Sequence, residues 1–261
     1  MRRDQLFWGV ALLLFGGLML ANAMGIRLPN GNSMTGLFWP LLLLGFGAWV
    51  LLGVFLRRNI EAESASVDLQ GASAASLRIN HGAGELRLHS GASANELLRG
   101  AFNGGLDQTA SKNGDRLEVK MRPATDLMVF PGIMSHDQLD WDVSLNSAIP
   151  TALDMNLGAN KSTLDLRDLA ITDIKLKTGA SETTMTLPVS GRLNADFEIG
   201  AASLTLIVPE GVAVRVRASL GAGDLNIDRA RFPGNRSPDF DSATNAVDVN
   251  IKGGACSVRV K

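Results

Sequence analysis

Three histidines and one cysteine are the side chains on which metal or nucleophile chemistry would have to rest. His81, Glu85 and His89 are spaced four apart, which on a helix would align two imidazoles and a carboxylate toward a divalent metal. They straddle Gly82-Ala83-Gly84, where a helix is a poor assignment, so the spacing points to a bend between strands and not to a ligand set. His136 with Asp137, Asp140 and Asp142 is a second cluster able to hold a cation, and it reads equally as a polar loop leading into an alternating strand. Cys256 stands alone, which excludes an intrachain disulfide framework and a thiolate cage. No Ser-His-Asp set stands out from spacing, and no glycine-rich loop opens a helix to cradle phosphate. Asp154, Asp165, Asp196 and Asp224 occupy dissimilar places in the repeat described below, so no pair of carboxylates is set to converge. The expectation is a chain with no catalytic, cofactor or metal site, and therefore not an enzyme. With 25 basic against 26 acidic side chains there is also no electrostatic footprint for nucleic acid.

The elements that would position any site fall into two regimes. Residues 6–22 and 37–56 carry no ionisable side chain and approach the roughly 20 residues a helix needs to cross a bilayer. Cleavage of the first as a signal peptide after Ala21-Asn22-Ala23 is the alternative. The polar turn Met24 to Thr35 between the two runs favours a two-helix transmembrane hairpin over 1–58. Arg2, Arg3, Arg57 and Arg58 outside the spans, against Arg27 in the turn, predict a multi-pass protein of the cell membrane with both termini and the following domain in the cytoplasm.

The rest of the chain repeats. Gly-Ala recurs at Gly158, Gly179, Gly200 and Gly221, each 21 residues after the last, with an early copy at Gly82 and a late one at Gly254, 33 residues after Gly221. The stretch Arg231 to Ala243 accounts for the late copy as an inserted loop. Apolar residues follow each glycine at even offsets (Leu164 and Leu166, Met185 and Leu187, Leu204 and Leu206, Val258 and Val260) and precede it at odd ones (Phe197 and Ile199, Val249 and Ile251). Period-two alternation means strands with one buried face, and the parity switch places a bend at each Gly-Ala. These glycines are read as corners, since glycine can take a positive φ without the penalty a Cβ would impose and alanine is small enough for a tight inside bend. Pro188 with Gly191 and Pro209 with Gly211 mark a second corner. Units of about 21 residues cannot bury their apolar face alone, so they must stack. The predicted fold is all-β: a right-handed β-solenoid over 67–261, after a linker at 59–66, with an irregular insertion at about 92–150. A β-sandwich is the runner-up. Thr183, Thr184, Thr186, Lys175, Lys177, Arg215 and Arg217 are expected in exterior ladders, and the edge at Val258 to Lys261 is expected to be open. Within the insertion, Met128, Val129, Phe130, Ile133 and Met134 form an apolar run, read as buried on the solenoid flank or as a loop contacting a partner or a membrane.

The first 58 residues resemble the membrane region of bacterial LiaF-like proteins, in Arg2-Arg3-Asp4-Gln5-Leu6-Phe7-Trp8-Gly9 and Phe38-Trp39-Pro40-Leu41-Leu42-Leu43-Leu44-Gly45. The repeat half, from about Val67 to Lys261, is similar to the putative-adhesin or toastrack type of β-repeat domain. The resemblance implies a non-enzymatic membrane-anchored scaffold or regulator in cell-envelope stress sensing, with the bilayer, a membrane histidine kinase or a second copy as partner. An envelope-structural or adhesin-like surface module is the alternative.

Overall fold

The computed structural model of the protein describes residues 3–25, 38–55, 62–124 and 139–261. The chain divides into two compact units, Met1–Asn59 and Ile60–Lys261. The first holds two helices, α1 (Arg3–Ala23) and α2 (Phe38–Phe55), which meet where the rings of Phe15 and Phe38 lie edge to face at 4.8 Å. Among the described residues no helix is long and apolar enough to cross a membrane, which overturns the multi-pass localisation expected from the sequence. The reason lies in helix length. The 18 residues of α2 rise about 27 Å, short of a hydrocarbon core of roughly 30 Å. α1 spends part of its length on Arg3, Asp4, Gln5 and Asn22, and its apolar stretch from Leu6 to Ala21 rises only about 24 Å. The orientation drawn from the arginines presupposed two spans and falls with them. So does the membrane-anchored regulator.

The described residues of the second unit form fifteen strands in one mixed sheet: β1 (Glu63–Asp68), β2 (Ala74–Ser90), β3 (Glu96–Phe102), β4 (Leu106–Asn113), β5 (Arg116–Pro123), β6 (Trp141–Leu145), β7 (Thr151–Asp165), β8 (Ile171–Thr178), β9 (Glu182–Thr186), β10 (Arg192–Ile199), β11 (Ser203–Ile207), β12 (Ala213–Leu220), β13 (Asp224–Ile227), β14 (Ala246–Gly253) and β15 (Ser257–Val260). Strands stack in parallel as rungs: β2 on β7, β7 on β8 and β9, and these on β10 and β11. β1 already begins inside the stretch read as a linker, and the stretch read as an insertion contains β3 to β6. β3 pairs with β1 and β6, and β4 with β5, all antiparallel.

Alternation decides which side chains the rungs bury. One inner column runs Leu77, Leu153, Ile174, Ala195, Val249, Val216 and the next Ile79, Met155, Leu176, Phe197, Ile251, Ala218, each residue in register with its neighbours. All are buried except the last, Ala218. Together with Leu86, Leu88, Leu164, Leu204, Leu206, Val258 and Val260 they make one continuous core. The Gly-Ala corners of the first rungs are gentle enough that β2 and β7 run through Gly82 and Gly158 as single strands.

Rung order departs from chain order at one place. The rung β14–β15, last in the sequence, lies between β10–β11 and β12–β13, so β12 and β13 form the outer rung. The edge at Val258 to Lys261 expected to be open is therefore interior: β15 pairs with β11 on one side and β13 on the other. The loop from Asp228 to Asn245 makes this possible by carrying the chain past the outer rung and back. It is pinned by buried Phe232 and Phe240 and by a two-way bond between Ser237 and Val214, in which each backbone N–H donates at 2.8 Å, to the Val214 carbonyl and to the Ser237 hydroxyl.

Candidate interaction surface

None of the six corner glycines has a positive φ, so conformational freedom is not why they are there. They stack instead. A Cβ on Gly158 would stand 2.2 Å from the Gly82 carbonyl oxygen, one on Gly200 2.6 Å from that of Gly179, and ones on Gly179 and Gly254 3.3 Å from those of Gly158 and Gly200. Gly221, in the outer rung, has 3.6 Å to Gly254. The column Gly82, Gly158, Gly179, Gly200, Gly254, Gly221 is thus a seam of close backbone approach, closed by bonds such as Ala180 N–H to the Gly158 carbonyl and Ala201 N–H to that of Gly179. The second corner does need positive φ, at Gly191 (94°) and Gly211 (78°).

The histidines do not converge. His81 is buried at the inner face of β2, its ring 5.0 Å from that of Trp141. Asn160 Nδ2 donates to His81 Nδ1 at 3.3 Å and to Ser162 Oγ at 3.0 Å, which leaves His81 Nε2–H to donate to the Leu139 carbonyl at 2.7 Å. Burial pushes the His81 pKa down, against weaker upward pulls from that carbonyl bond and Asp140. His89 is on the outside, bonded to the Ser90 carbonyl and at 2.9 Å to Asp142, and these hold its pKa up. Glu85 pairs with Arg87 at 2.8 Å. Asp140 accepts from the Glu85 backbone N–H. No group of three His, Cys, Asp or Glu among the described residues is placed to hold a metal. Cys256 is buried, and desolvation pushes its thiol pKa up, away from reactivity. Met128, Val129, Phe130, Ile133 and Met134, with His136 and Asp137, lie outside the described residues.

The outer face of β2, β7, β8, β10, β14 and β12 carries what the interior does not. Three rows cross these strands in register: Ser76, Ala152, Asp173, Asn194, Asp248, Arg215; then Arg78, Asp154, Lys175, Asp196, Asn250, Arg217; then Asn80, Asn156, Lys177, Glu198, Lys252, Ser219. Neighbouring rungs stand about 4.8 Å apart and alternate residues along a strand about 6.7 Å, so the face is a grid of fixed pitch. Charges alternate across it and satisfy one another: Arg78 to Asp154 at 2.8 Å, Lys177 to Glu198 at 2.9 Å, Asn250 to Asp196 at 3.2 Å, Asn156 to Asn80 at 3.0 Å. Asp173 is the exception to this balance. Partial burial raises its pKa, Lys175 opposes the rise, and Asp196 and Asp154 add to it. Lys175, Lys177, Arg215 and Arg217 lie in the exterior rows as expected. Thr183 does not: it is buried and continues an inner column with Ser162 and Leu204, whereas Thr186 keeps the outer register with Asp165 and Ile207 although it is buried.

At one rim of the grid a cleft of about 310 Å³ is lined by Thr172, Arg192, Asn194, Arg215, Phe240 and Asp248. The guanidiniums of Arg215, Arg192 and Arg236 approach the Phe240 ring at 4.7, 5.2 and 5.4 Å. Arg192 donates to the Ala243 and Phe240 carbonyls, and Arg236 pairs with Asp241. Arg215 pairs with Asp248, whose carboxyl it holds below the usual range, and Arg217 shares the same carboxylate at 3.1 Å. This cluster was not visible in the sequence, because Phe240 sits in a loop without periodicity.

No curated protein matches the chain. Among solved structures it is similar to a "putative cell adhesion protein" from Clostridium sporogenes ATCC 15579, at a TM-score of 0.66 and 20% identity over 77% of this chain and 98% of that one, a likeness of fold. A "putative adhesin" from Bacteroides fragilis NCTC 9343 aligns over 77% of this chain and 97% of that one at 6% identity, but its TM-score of 0.22 carries no argument. Residues 57–207, more than half of the sequence and the segment that holds β1 to β11, match the family described as Toast_rack_N, the N-terminal domain of toast_rack (DUF2154), and the chain belongs to that family.

Proposed function

We propose that the chain is a non-catalytic, adhesin-like surface module that binds an extended polar polymer across the outer grid of β2, β7, β8, β10, β14 and β12. The observation that carries this reading is the three in-register rows of charged and amide side chains over six strands. A face whose donors and acceptors recur at about 4.8 Å by 6.7 Å offers a long ligand many weak, evenly spaced bonds, and attachment by summed weak contacts is what adhesion requires. The similarity of fold to a protein described as a cell adhesion protein supports the same direction. Right-handed winding of the rungs follows the general hand of parallel crossovers. The test is retention of the full chain on immobilised bacterial envelope polysaccharide, with unsubstituted dextran as the control. Retention should fall at least tenfold in a Lys175→Glu, Lys177→Glu double variant, which breaks the alternation in the second and third rows. Equal retention by wild type and variant, or equal retention on dextran, overturns the reading.

A further inference from the structure

β12 and β13 close the stack on one side only. Val214 turns its N–H and C=O away from β14 and spends them on Ser237, whereas Ala213 and Gly221 donate to the Asn245 and Gly253 carbonyls on the β14 side. Alternation along a strand then aims the backbone groups of Val216, Ala218 and Leu220 outward, where the strand order ends. By the same rule Leu225 and Ile227 of β13 face out, since Asp224 and Asp228 donate to the Cys256 and Val260 carbonyls of the β15 side. Inner side chains around the bend of this rung are only partly covered: Ala218 is exposed and Leu220 and Leu225 are half-buried, whereas Val214, Val216 and Ile227 are buried. No proline or bulge interrupts β12, and the inserted loop occupies its edge at Val214 and Arg215, where Ser237 bonds Val214 and Arg236 bridges Arg215.

Charge says what fits. Along the outer rows sign alternates from rung to rung, and the outer rung ends on Arg215 and Arg217, two guanidiniums that share the single carboxylate of Asp248. A second copy laid on this edge about a two-fold axis would bring two more arginines alongside these. The opposite end of the stack has two edges, β1 and β4. β1 carries the exposed carboxylates of Glu63 and Asp68, which repel a like-charged segment, and the side chains facing the core side of β4, Gln108, Ala110 and Lys112, are exposed and mostly polar.

We propose that the β12–β13 edge is a strand-addition site for an extended segment of a partner polypeptide with apolar residues at alternate positions and carboxylates between them. The apolar residues would continue the columns of Ala218 and Leu220, and a carboxylate would lie beside Arg217. Backbone bonds supply affinity in such a mode and alternate side chains supply selectivity.

A blocked, fluorescent octapeptide of alternating valine and glutamate serves as probe, with a valine–lysine peptide and an N-methylated valine–glutamate peptide as controls, all titrated with the full chain. Saturable binding of the acidic peptide is expected, weakened at least tenfold by Arg217→Glu and by Ala218→Pro, and absent with both controls. Proline removes an N–H that has no partner among the described residues and is accepted on such edges, so Ala218→Pro should keep the wild-type melting transition. Should it not, amide exchange in the wild type decides: bound peptide slows Val216, Ala218 and Leu220 and leaves Arg217 and Ser219 unchanged. No saturation, equal binding of acidic and basic peptides, or unchanged exchange at those amides overturns the proposal. Concentration-dependent self-association that Ala218→Pro abolishes also overturns it, by giving the edge to a second copy.

Discussion

The middle of the stack and its outer rung carry the same sequence pattern and do different things with it. Leu204 and Leu225 lie in one column, both in register with Val258, yet Leu204 is 1% exposed and Leu225 is half-buried. Phe197 and Ala218 are likewise column mates of Ile251, one buried and one open. Alternation fixes which way a side chain points, whereas burial requires a cover on each side, which Ala218 and Leu225 lack. A repeat domain therefore packs its middle rungs more completely than its last one.

The same substitution at both places should separate them most. Leu204→Ala is expected to cost about 2–5 kcal/mol of unfolding free energy, and Leu225→Ala about 1 kcal/mol or less, in paired denaturant titrations. Equal costs would mean that the outer rung is covered by something that travels with the protein. The glycine seam gives the next contrast. Gly158→Ala must push a Cβ to within 2.2 Å of a carbonyl oxygen and should lose roughly 1–3 kcal/mol, while Gly221→Ala, with 3.6 Å available, should change stability by under about 0.5 kcal/mol.

A third contrast is set by pH and lies within β2. Burial lowers the His81 pKa below the ordinary 6.5, so on acidification the unfolded chain takes up its proton first. Its contribution is complete above about pH 6.5 and is lost as pH falls toward the depressed folded value, with a slope of at most about 1.4 kcal/mol per pH unit. His89, with its pKa raised, acts oppositely: its contribution is present below about 6.5 and disappears as pH rises through the folded value. His81→Gln should remove the acid-side loss in melting curves taken between pH 5 and 7, and leave the smaller alkaline-side trend of His89. The smallest effect is expected at the edge: Arg217→Glu, on an exposed arginine, should move stability by less than about 0.5 kcal/mol while it weakens capture of the acidic peptide at least tenfold.

Much of this architecture was legible. A 21-residue Gly-Ala period with fixed apolar parity states that rungs exist, and the parity named inner residues such as Leu164, Met185, Phe197, Leu204, Val249 and Val258, while Leu153, Ile174, Leu176 and Ala195 went unnamed. The parity was misapplied to Thr183, because threonine belongs as easily inside a sheet as outside it. The glycines were found for the wrong reason, since stacking distance between corners has no trace in a linear pattern. Rung order was invisible for a similar cause: every rung offers its neighbours the same alternation, so periodicity cannot say that β14–β15 lies inside β12–β13. The helices misled in the other direction. Hydropathy alone made two spans of segments whose described lengths are too short. Of the candidate surface, Lys175, Lys177, Arg215 and Arg217 were foreseen, and Phe240, Asp248 and Arg192 were not, because their meeting depends on how one aperiodic loop returns.

That interleaved rung also sets an order of events during synthesis. β12 and β13 leave the ribosome before the strands they rest on have been made, so their apolar faces must wait, unpaired, until β14 and β15 arrive and slide between them and the finished rungs. The domain cannot grow simply by winding from one end to the other, as a thread is wound on a spool. Its closing step is an insertion, and a nascent chain halted after Ile227 would hold a strand pair without its native neighbour.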